Sequence, residues 1–274
     1  MFYNNRMKEK ELKALIFDVD GTLTDNEQDG HRVAFNLAFR DAGLDWFWDV
    51  ATYDRLLEVF GGKERIRHYI EDFLNDFNAP EDLDAFILEL HKLKTEHYLG
   101  LLKSGALPLR PGVGRLIKEA HSAGLKLAIA STTTLENALL LLEVSLGEKS
   151  IGWFDVFACG DIVARKKPAP DIYEYALDQL GLKASECLVV EDTEAGLASA
   201  AAAGLTTVIT VNGTTRNQDF SGAAIVLDQM GEPDHGFEVL SGDAGNATLV
   251  DVALLRRIHF EFSAARTQSS PPTR

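Results

Sequence analysis

Short apolar runs and helical patterns alternate along the second half of the chain. The apolar runs predict strands at 125–130, 155–159, 187–190 and 206–211. Apolar residues at helical spacing predict helices at 113–122, 135–146, 171–180 and 196–203. Strands that alternate in this way with helices of about ten residues indicate right-handed βαβ units and a parallel sheet.

The first strand of this sheet is predicted near the start of the chain, in the apolar run at 14–17. Four consecutive apolar residues are typical of a strand that is buried on both faces. Only helical patterns separate this strand from the alternating half, at 31–43, 53–60, 63–77 and 83–102. We interpret them as an inserted helical domain, entered through a polar, acidic linker at 24–30 and left through a breaker-rich linker at 104–112.

The expected fold is therefore α/β, with a Rossmann-like, doubly wound parallel sheet as its core. The core is predicted to comprise residues 1–26 and 108–230, and the helical domain residues 27–107. Residues 231–274 are predicted to be a partly disordered C-terminal extension, with a helix at 250–258 and a disordered tail at 268–274. The run at 225–227 predicts an edge strand, and the polar residues 1–12 are expected to fray.

The composition of the chain excludes some classes of binding partner and location. The chain has 274 residues and a formal charge of −15, which argues against a surface for nucleic acid or anionic membrane. It contains no apolar run of about eighteen residues, so no transmembrane helix is expected, and its polar start lacks an apolar segment of signal-peptide length. Cys159 and Cys187 lie in apolar surroundings without CxxC spacing, as reduced cysteines of a cytosolic or stromal protein do. We expect a cytoplasmic monomer with a small-molecule partner.

Polar residues follow the predicted strands at their carboxyl ends, beyond which ligands bind in open α/β sheets. Residues two apart in an extended chain point the same way, so Asp18 and Asp20 can enter one pocket. The later strands are followed by Ser131, Thr132, Lys167, Glu191 and Asp192. Thr132, next to Ser131, is a further candidate for binding substrate.

Phosphoryl transfer is the chemistry that uses such a set. Asp18 can attack phosphorus and form an aspartyl-phosphate, which splits one difficult step into two. Asp20 can protonate the leaving oxygen and later activate water as a base. Magnesium suits the oxygen ligands that Asp18, the backbone carbonyl of Asp20 and Asp192 offer. Ser131, the amides of the helix that it starts, and Lys167 can bind the transferring phosphate oxygens.

Each of these residues also has an ordinary structural interpretation. Ser131 could simply cap a helix, and Lys167 beside Lys166 could be a solvated charge pair. Glu191 and Asp192 could complement the dipole of a following helix. Their joint placement at successive strand ends, with one chemistry that uses all of them, favours an active site.

Taken in order, these motifs resemble the four-part signature of the haloacid dehalogenase superfamily. The matching segments are Asp18-Val19-Asp20-Gly21-Thr22, Ser131, Lys167-Pro168 and Glu191-Asp192-Thr193-Glu194-Ala195-Gly196. The resemblance spans residues 12–228, and the inserted helices resemble the C1-type cap of the β-phosphoglucomutase-like branch. It implies that Asp18 is the nucleophile and Asp20 the acid/base. The other implied roles are phosphate ligands for Ser131 and Lys167, and magnesium ligands for Glu191 and Asp192 beside Asp18 and Asp20.

The predicted cap also resembles the CbbY-type proteins, which are xylulose-1,5-bisphosphate phosphatases, in the segments 26–32, 61–65, 92–96 and 107–112. This resemblance implies that the cap presents Glu27, His31, Lys63, Arg65 and Lys94 to the substrate. Lys63, Arg65 and Lys94 could hold a second, unreacting phosphate. These clustered cations would attract a phosphate despite the net negative charge of the chain, because that charge is spread over the protein and screened over about 8 Å. Alternatively, Lys63 and Arg65 are a polar helix start after a Gly-Gly turn, and His31 is an ordinary polar helix residue.

The function favoured at this stage is a magnesium-dependent sugar-phosphate phosphatase that acts through an aspartyl-phosphate, most consistent with xylulose-1,5-bisphosphate as substrate. A β-phosphoglucomutase-like hexose-phosphate mutase is the alternative, since it would use the same two carboxylates but exclude water. A dehalogenase would need neither Asp20 nor the magnesium acids. A non-catalytic protein of this fold would be expected to lack at least one catalytic side chain, whereas the whole set is present.

Overall fold

Within residues 11–59, 61–74 and 77–269, which this computed structural model describes, seven strands form one sheet. The strands are β1 Ala14–Phe17, β2 Lys126–Ser131, β3 Val156–Cys159, β4 Cys187–Glu191, β5 Thr206–Thr210, β6 Ile225–Leu227 and β7 Val239–Ser241. Their order is β3-β2-β1-β4-β5-β6-β7, and neighbours are parallel except β6 and β7, which are antiparallel. The chain winds from β1 out to β3 and returns beside β1 at β4, as in doubly wound folds. The predicted Rossmann-like α/β fold is confirmed.

Helices lie in the first four connections between these strands, and one more helix follows β7. Those between β1 and β2 are α1 Arg32–Asp41, α2 Val50–Leu56, α3 Gly62–Asp72 and α4 Leu83–Lys103. The later helices are α5 Val113–Ser122, α6 Leu135–Leu146, α7 Asp171–Leu180, α8 Glu194–Ala202 and α9 Val252–Ser269. The side chains of Asp49, Asp82, Thr134 and Thr193 each accept a hydrogen bond from the backbone N–H three residues further on. These caps fix where α2, α4, α6 and α8 begin.

The sheet is buried on both faces because alternate side chains of a strand point to opposite sides. Leu15 and Phe17 of β1 belong to a large cluster that α5, α6 and α9 cover. Ala14 and Ile16 belong to a second cluster, which α7 and α8 cover. Because β1 is packed on both faces, its position is fixed, and so is the position of Asp18, which directly follows it.

Helices α1–α4 have an aromatic core of their own. Phe35, Phe39, Trp48, Tyr53 and Tyr69 are buried in it. The rings of Phe39 and Trp48 meet edge to face with their centroids 4.8 Å apart, a favourable geometry for aromatic pairs. The division into a core at 1–26 and 108–230 and a cap at 27–107 stays a prediction, and this separate cluster agrees with it.

The two segments that connect the helical domain to the sheet pair with each other. Thr24 and Leu109 form an isolated antiparallel bridge. The N–H of Arg110 donates to the carbonyl of Leu23 at 2.8 Å, and the hydroxyl of Thr24 donates to the carbonyl of Pro108 at 2.8 Å. The chain therefore enters and leaves the helical domain at one place, just beyond the end of β1.

The C-terminal segment differs from its prediction. Strand β6 is not an edge strand, because β7 pairs with its other side. Strand β7 is exposed and only three residues long, so its two apolar residues, Val239 and Leu240, are too few to form a strand pattern in the sequence. The sheet thus extends beyond the boundary predicted at residue 230, and Leu254 and Leu255 of α9 pack into the large cluster. Helix α9 reaches Ser269, and the rest of the predicted disordered tail, 270–274, lies outside the described residues.

Some boundaries near the start also change. The linker predicted at 24–30 contains a π-helical turn, Glu27–His31, that continues into α1. The predicted helices at 53–60 and 63–77 correspond to α2 and α3, which end at Leu56 and Asp72. Residues 1–10 lie outside the described part, so the predicted fraying of 1–12 stays a prediction, although Leu12 is buried. Of the helices in the described ranges, none combines the length and apolar character needed to cross a bilayer.

Candidate active site

A cavity of about 700 Å³ opens at the carboxyl ends of the central strands. On the sheet side it is lined by Asp18, Asp20, Ser131, Thr132, Lys167 and Asp192. On the side of the helical domain, Glu27 and Arg65 contribute to its wall. The parallel sheet therefore brings together candidates that are up to 174 positions apart in the sequence, from Asp18 to Asp192.

Lys167 lies between two carboxylates at the floor of this cavity. Its Nζ donates to Asp18 Oδ1 and to Glu191 Oε1, both at 2.6 Å, and to the carbonyl of Ala130 at 3.0 Å. The residue is only 5% exposed. The interpretation of Lys167 as a solvated charge pair with Lys166 is therefore wrong.

Glu191 is held by donors on both of its oxygens. Oε1 accepts the hydroxyl of Tyr173 at 2.8 Å in addition to Lys167. Oε2 accepts the backbone N–H groups of Asp192 at 3.0 Å and Thr193 at 3.2 Å. Helix α8 starts only at Glu194 and is capped by Thr193, so the interpretation of Glu191 and Asp192 as first-turn acids is also wrong.

Burial and neighbouring charges set the pKa values of this group. Burial lowers the pKa of Lys167, but Asp18 and Glu191 outweigh it and raise that pKa well above its usual value. Burial raises the pKa of Asp18 to about 7, although Lys167 acts in the opposite direction. The pKa of Asp192 is raised well above its usual value by burial and by the charges of Glu191 and Asp18. Carboxylates crowded in this way favour an additional cation.

The arrangement of these carboxylates suits a metal ion. Asp18, Glu191 and Asp192 each offer one oxygen, and these oxygens lie within 4.8 Å of one another. Oxygen ligands that carry net negative charge fit a hard divalent cation such as Mg²⁺. The hydroxyl of Thr22 donates to Asp192 Oδ1 at 3.0 Å and Nδ2 of Asn212 donates to Asp192 Oδ2 at 2.8 Å, which orients this carboxylate. The described carboxylates that could hold a metal ion together do not include the side chain of Asp20. As the sequence predicts, Asp20 could therefore contribute only its backbone carbonyl to a metal ion.

The carboxylate of Asp20 turns instead towards the helical domain. Its Oδ1 lies 2.9 Å from His31 Nε2 and accepts Asn26 Nδ2 at 2.7 Å. Burial raises the pKa of Asp20, but His31 and Asn26 outweigh burial and hold it below its usual value. The other ring nitrogen of His31 lies 2.8 Å from Lys94 Nζ, and burial lowers the pKa of Lys94 to about 8. His31 is therefore part of the site and not an ordinary polar helix residue.

Arg65 is fixed in the cavity wall by hydrogen bonds within the helical domain. Its Nη1 donates to the hydroxyl of Tyr53 at 2.7 Å and lies 3.7 Å from Glu27 Oε2, while its Nε donates to the carbonyl of Leu56 at 3.1 Å. The hydroxyl of Tyr53 in turn donates to Glu27 at 2.6 Å. Arg65 does lie in the first turn of α3, which begins at Gly62, but its side chain is buried, with 8% exposed, and lines the cavity.

Lys63 lies elsewhere. It pairs with Asp161, in the loop after β3, and its side chain is 34% exposed. Glu64 pairs with Lys166 at 2.6 Å, and Lys166 lies 3.2 Å from Asp161. We name these four residues the cap–core cluster, because they connect α3 to that loop. Lys63 is not among the described residues that line the cavity. The structure therefore does not bring it together with Arg65 and Lys94.

Ser131 is buried at the end of β2. Its Oγ accepts the backbone N–H of Thr133 at 3.3 Å. Helix α6 begins only at Leu135 and is capped by Thr134, so Ser131 is neither its cap nor its first residue. The amides near Ser131 are therefore those of the loop that contains Thr132, and Thr132 itself lines the cavity.

Several residues of the site were assigned no role from the sequence, although Thr22 and Asn26 lie in segments that carry the family resemblance. They are Thr22, Asn26, Tyr53, Tyr98, Tyr173 and Asn212. Asn212 follows β5 closely, so the rule that found the other strand-end residues could have found it too. The three tyrosines are on helices, where an aromatic residue in an apolar stripe gives no sign that its hydroxyl faces a polar site.

Comparisons with known proteins agree with this geometry. The family model described as haloacid dehalogenase-like hydrolase matches residues 12–204. The plasmid-encoded protein CbbY of Cupriavidus necator is 47% identical over 226 residues, covering 81% of this chain and 87% of that protein. Protein CbbY of Rhodobacter capsulatus is 50% identical over 213 residues, covering 78% of this chain and 91% of that protein.

A solved structure is similar as well. It is a CbbY variant from Rhodobacter sphaeroides in complex with xylulose-1,5-bisphosphate. This structure superimposes with a TM-score of 0.74 at 41% sequence identity, and the match covers 80% of this chain and 94% of that one. The similarity in fold therefore extends over most of this chain and nearly all of that one.

Proposed function

We propose, from the premise that this chain belongs to the haloacid dehalogenase-like hydrolase family, that its preferred substrate is xylulose-1,5-bisphosphate. The coarser activity follows from the same family and from the CbbY relatives: the chain is a phosphatase that acts on sugar phosphates. The observation that carries the finer proposal is Arg65, a buried cation in the wall of the cavity that Asp18 also lines. A bisphosphate has a second phosphate that does not react, and a fixed guanidinium can bind it.

The reaction proceeds in two steps, phosphorylation of Asp18 and hydrolysis of the aspartyl-phosphate. A carboxylate oxygen of Asp18 attacks phosphorus, the bond from phosphorus to the sugar oxygen breaks, and Asp20 gives that oxygen a proton. Asp20 then takes a proton from water, the hydroxide attacks the aspartyl-phosphate, and inorganic phosphate leaves while Asp18 is regenerated. Lys167 and Ser131 bind the phosphoryl oxygens during both steps. Asp18, Asp192 and the backbone carbonyl of Asp20 would hold Mg²⁺, which would supply neutralisation of the negative charge of the Asp18 carboxylate and the phosphoryl group.

The test of this proposal is phosphate release with Mg²⁺ on a set of substrates. The set contains xylulose-1,5-bisphosphate, ribulose-1,5-bisphosphate, β-glucose-1-phosphate and an aryl phosphate. The expected result is the highest kcat/KM for xylulose-1,5-bisphosphate. Conversion of β-glucose-1-phosphate to glucose-6-phosphate, with little free phosphate, would instead establish the mutase and contradict the proposal.

Replacing Arg65 by alanine should separate a bisphosphate from a simple phosphate ester. Because a hydrogen bond to a charged group contributes about 1.5–3 kcal/mol, KM for the bisphosphate should rise about 10- to 100-fold. KM for the aryl phosphate, which has no second phosphate, should stay within about twofold. The matched control is Arg67→Ala on the same helix, whose partly exposed side chain pairs with Asp84. Equal changes in KM for the two substrates would show that Arg65 only supports the fold.

The cap–core cluster gives a smaller expected effect. Partly exposed ion pairs contribute about 0.2–1 kcal/mol, so Lys63→Met and Asp161→Asn should each raise KM for the bisphosphate by up to about fivefold. The double variant should be no worse than Asp161→Asn alone, because that variant already removes the contact between Asp161 and Lys63. If Lys63 bound the substrate directly, Lys63→Met would raise KM and Asp161→Asn would not. Steady-state kinetics of the three variants decides between the two roles.

A further inference from the structure

One arginine outside the cavity connects three loops at the carboxyl end of the sheet, and two of these loops contact Asp192. Arg110 lies in the segment that returns from the helical domain, and it is partly buried. Its Nη1 donates to the carbonyls of Gly21 at 2.5 Å and Thr210 at 2.8 Å. Its Nη2 donates to the carbonyls of Val211 at 2.5 Å and Asp228 at 2.8 Å. A single planar group thus joins the carboxyl ends of β1, β5 and β6.

Two of these carbonyls, those of Gly21 and Val211, belong to residues in contact with Asp192 or next to one that is. Asn212, the residue after Val211, donates from Nδ2 to Asp192 Oδ2 at 2.8 Å and to the carbonyl of Gly21 at 3.3 Å. Gly21 has a φ of +86°, and a Cβ on it would overlap the Asp192 carboxylate. The Asp192 side chain is therefore packed against Gly21 and hydrogen-bonded by Asn212, and Arg110 binds the backbone at both places.

We infer that Arg110 is a positioning residue of the reaction, which orients Asp192 towards the metal ion by fixing Gly21 and Asn212. The inference rests on the proposed function in one respect, that Asp192 is a metal ligand. Arginine suits the task because its two terminal nitrogens can each make two hydrogen bonds in one plane. A lysine ammonium has three donors at one point and cannot span the same carbonyls. Residues that orient metal ligands change metal affinity or activity about 10- to 100-fold when they are replaced.

Arg115 provides a matched control. It is also partly buried, and its Nη2 donates to the carbonyls of Met230 at 3.3 Å, Gly231 at 3.0 Å and Val250 at 3.0 Å. These carbonyls belong to the segment after β6, and none of these residues lines the described cavity. Arg115→Lys therefore removes the same kind of bond, from arginine to backbone carbonyls, away from Asp192.

The experiment compares Arg110→Lys, Arg115→Lys and the unmodified full chain. One readout is the affinity for Mn²⁺ alone, an ion that prefers oxygen ligands as Mg²⁺ does, with the unbound ion counted by electron paramagnetic resonance. The others are the Mg²⁺ concentration that gives half of kcat, and the melting temperature. We expect Arg110→Lys to weaken Mn²⁺ binding at least about tenfold and to raise the required Mg²⁺ in proportion. Arg115→Lys should lower only the melting temperature.

Several outcomes would overturn the inference. Unchanged Mn²⁺ affinity in Arg110→Lys is one, and an equal loss of affinity in Arg115→Lys, which would indicate general loosening, is another. If Arg110→Lys does not fold, Asn212→Ala takes its place, because the connection from Arg110 to Asp192 passes through Asn212. Wild-type Mn²⁺ affinity in Asn212→Ala would then overturn the inference. Failure of the proposed metal role is distinguishable, since the unmodified chain itself would bind no Mn²⁺ and release phosphate without Mg²⁺, and this too overturns the inference.

Discussion

Asp18→Asn should lower kcat for phosphate release by at least about 10⁴-fold, because no other group can replace the attacking carboxylate oxygen. The variant should still fold, since Lys167 keeps Glu191 as a partner at 2.6 Å. Burial and neighbouring acids raise the pKa of Asp18 to about 7, which means that the folded chain disfavours its charged form. Without metal and above pH 7, the neutral asparagine should therefore leave the melting temperature equal to that of the unmodified chain or higher.

The control for this prediction is Asp25→Asn. Asp25 is on the same loop but exposed, and the substitution makes the same chemical change. Its kcat should stay within about twofold, the range of ordinary surface substitutions. Phosphate release and thermal unfolding are measured on both variants. Substantial residual turnover in Asp18→Asn would remove the nucleophile assignment, whereas a large drop in melting temperature would show that Asp18 serves mainly to hold Lys167.

The part of the site that belongs to the sheet could be predicted because topology alone brings it together. Once the alternating pattern indicates a parallel sheet, the residues after each strand must meet at one edge, whatever their separation in sequence. Asp18, Ser131, Lys167 and Asp192 follow this rule and line one cavity. Asn212 follows it too, and it was missed because its position after β5 carries no charge that would draw attention to it.

The helical domain was less predictable, because its contacts depend on the angle at which it packs on the core. Lys63 and Arg65 are two residues apart, yet Arg65 faces the cavity while Lys63 pairs with Asp161 of the core. Residues two apart on a helix do not share a face, so a common role for the two cations conflicts with helical geometry. Strand β7 was missed for a different reason: it is exposed, and only its pairing with β6 makes it a strand.

Asp20→Asn should slow both chemical steps, but by amounts that depend on the substrate. General acid–base catalysis contributes about 10²- to 10⁴-fold, and one carboxyl group serves as the acid in the first step and the base in the second. A sugar oxygen needs a proton to leave, so phosphorylation of Asp18 by a sugar phosphate should slow by this factor. A nitrophenolate leaves without a proton, so phosphorylation by p-nitrophenyl phosphate should change little.

The two substrates give the same aspartyl-phosphate, whose hydrolysis in Asp20→Asn lacks the base. Protein-bound phosphate should therefore accumulate with p-nitrophenyl phosphate and not with the sugar phosphate, as measured by rapid quenching and intact-protein mass spectrometry. His31 and Asn26 hold the pKa of Asp20 below its usual value, so the acid role in the first step requires that Asp20 gain a proton before the sugar oxygen leaves. Asp29→Asn, an exposed carboxylate in the turn Glu27–His31, is the matched control and should accumulate nothing. Hydrolysis at the unmodified rate in Asp20→Asn would assign the base to another residue.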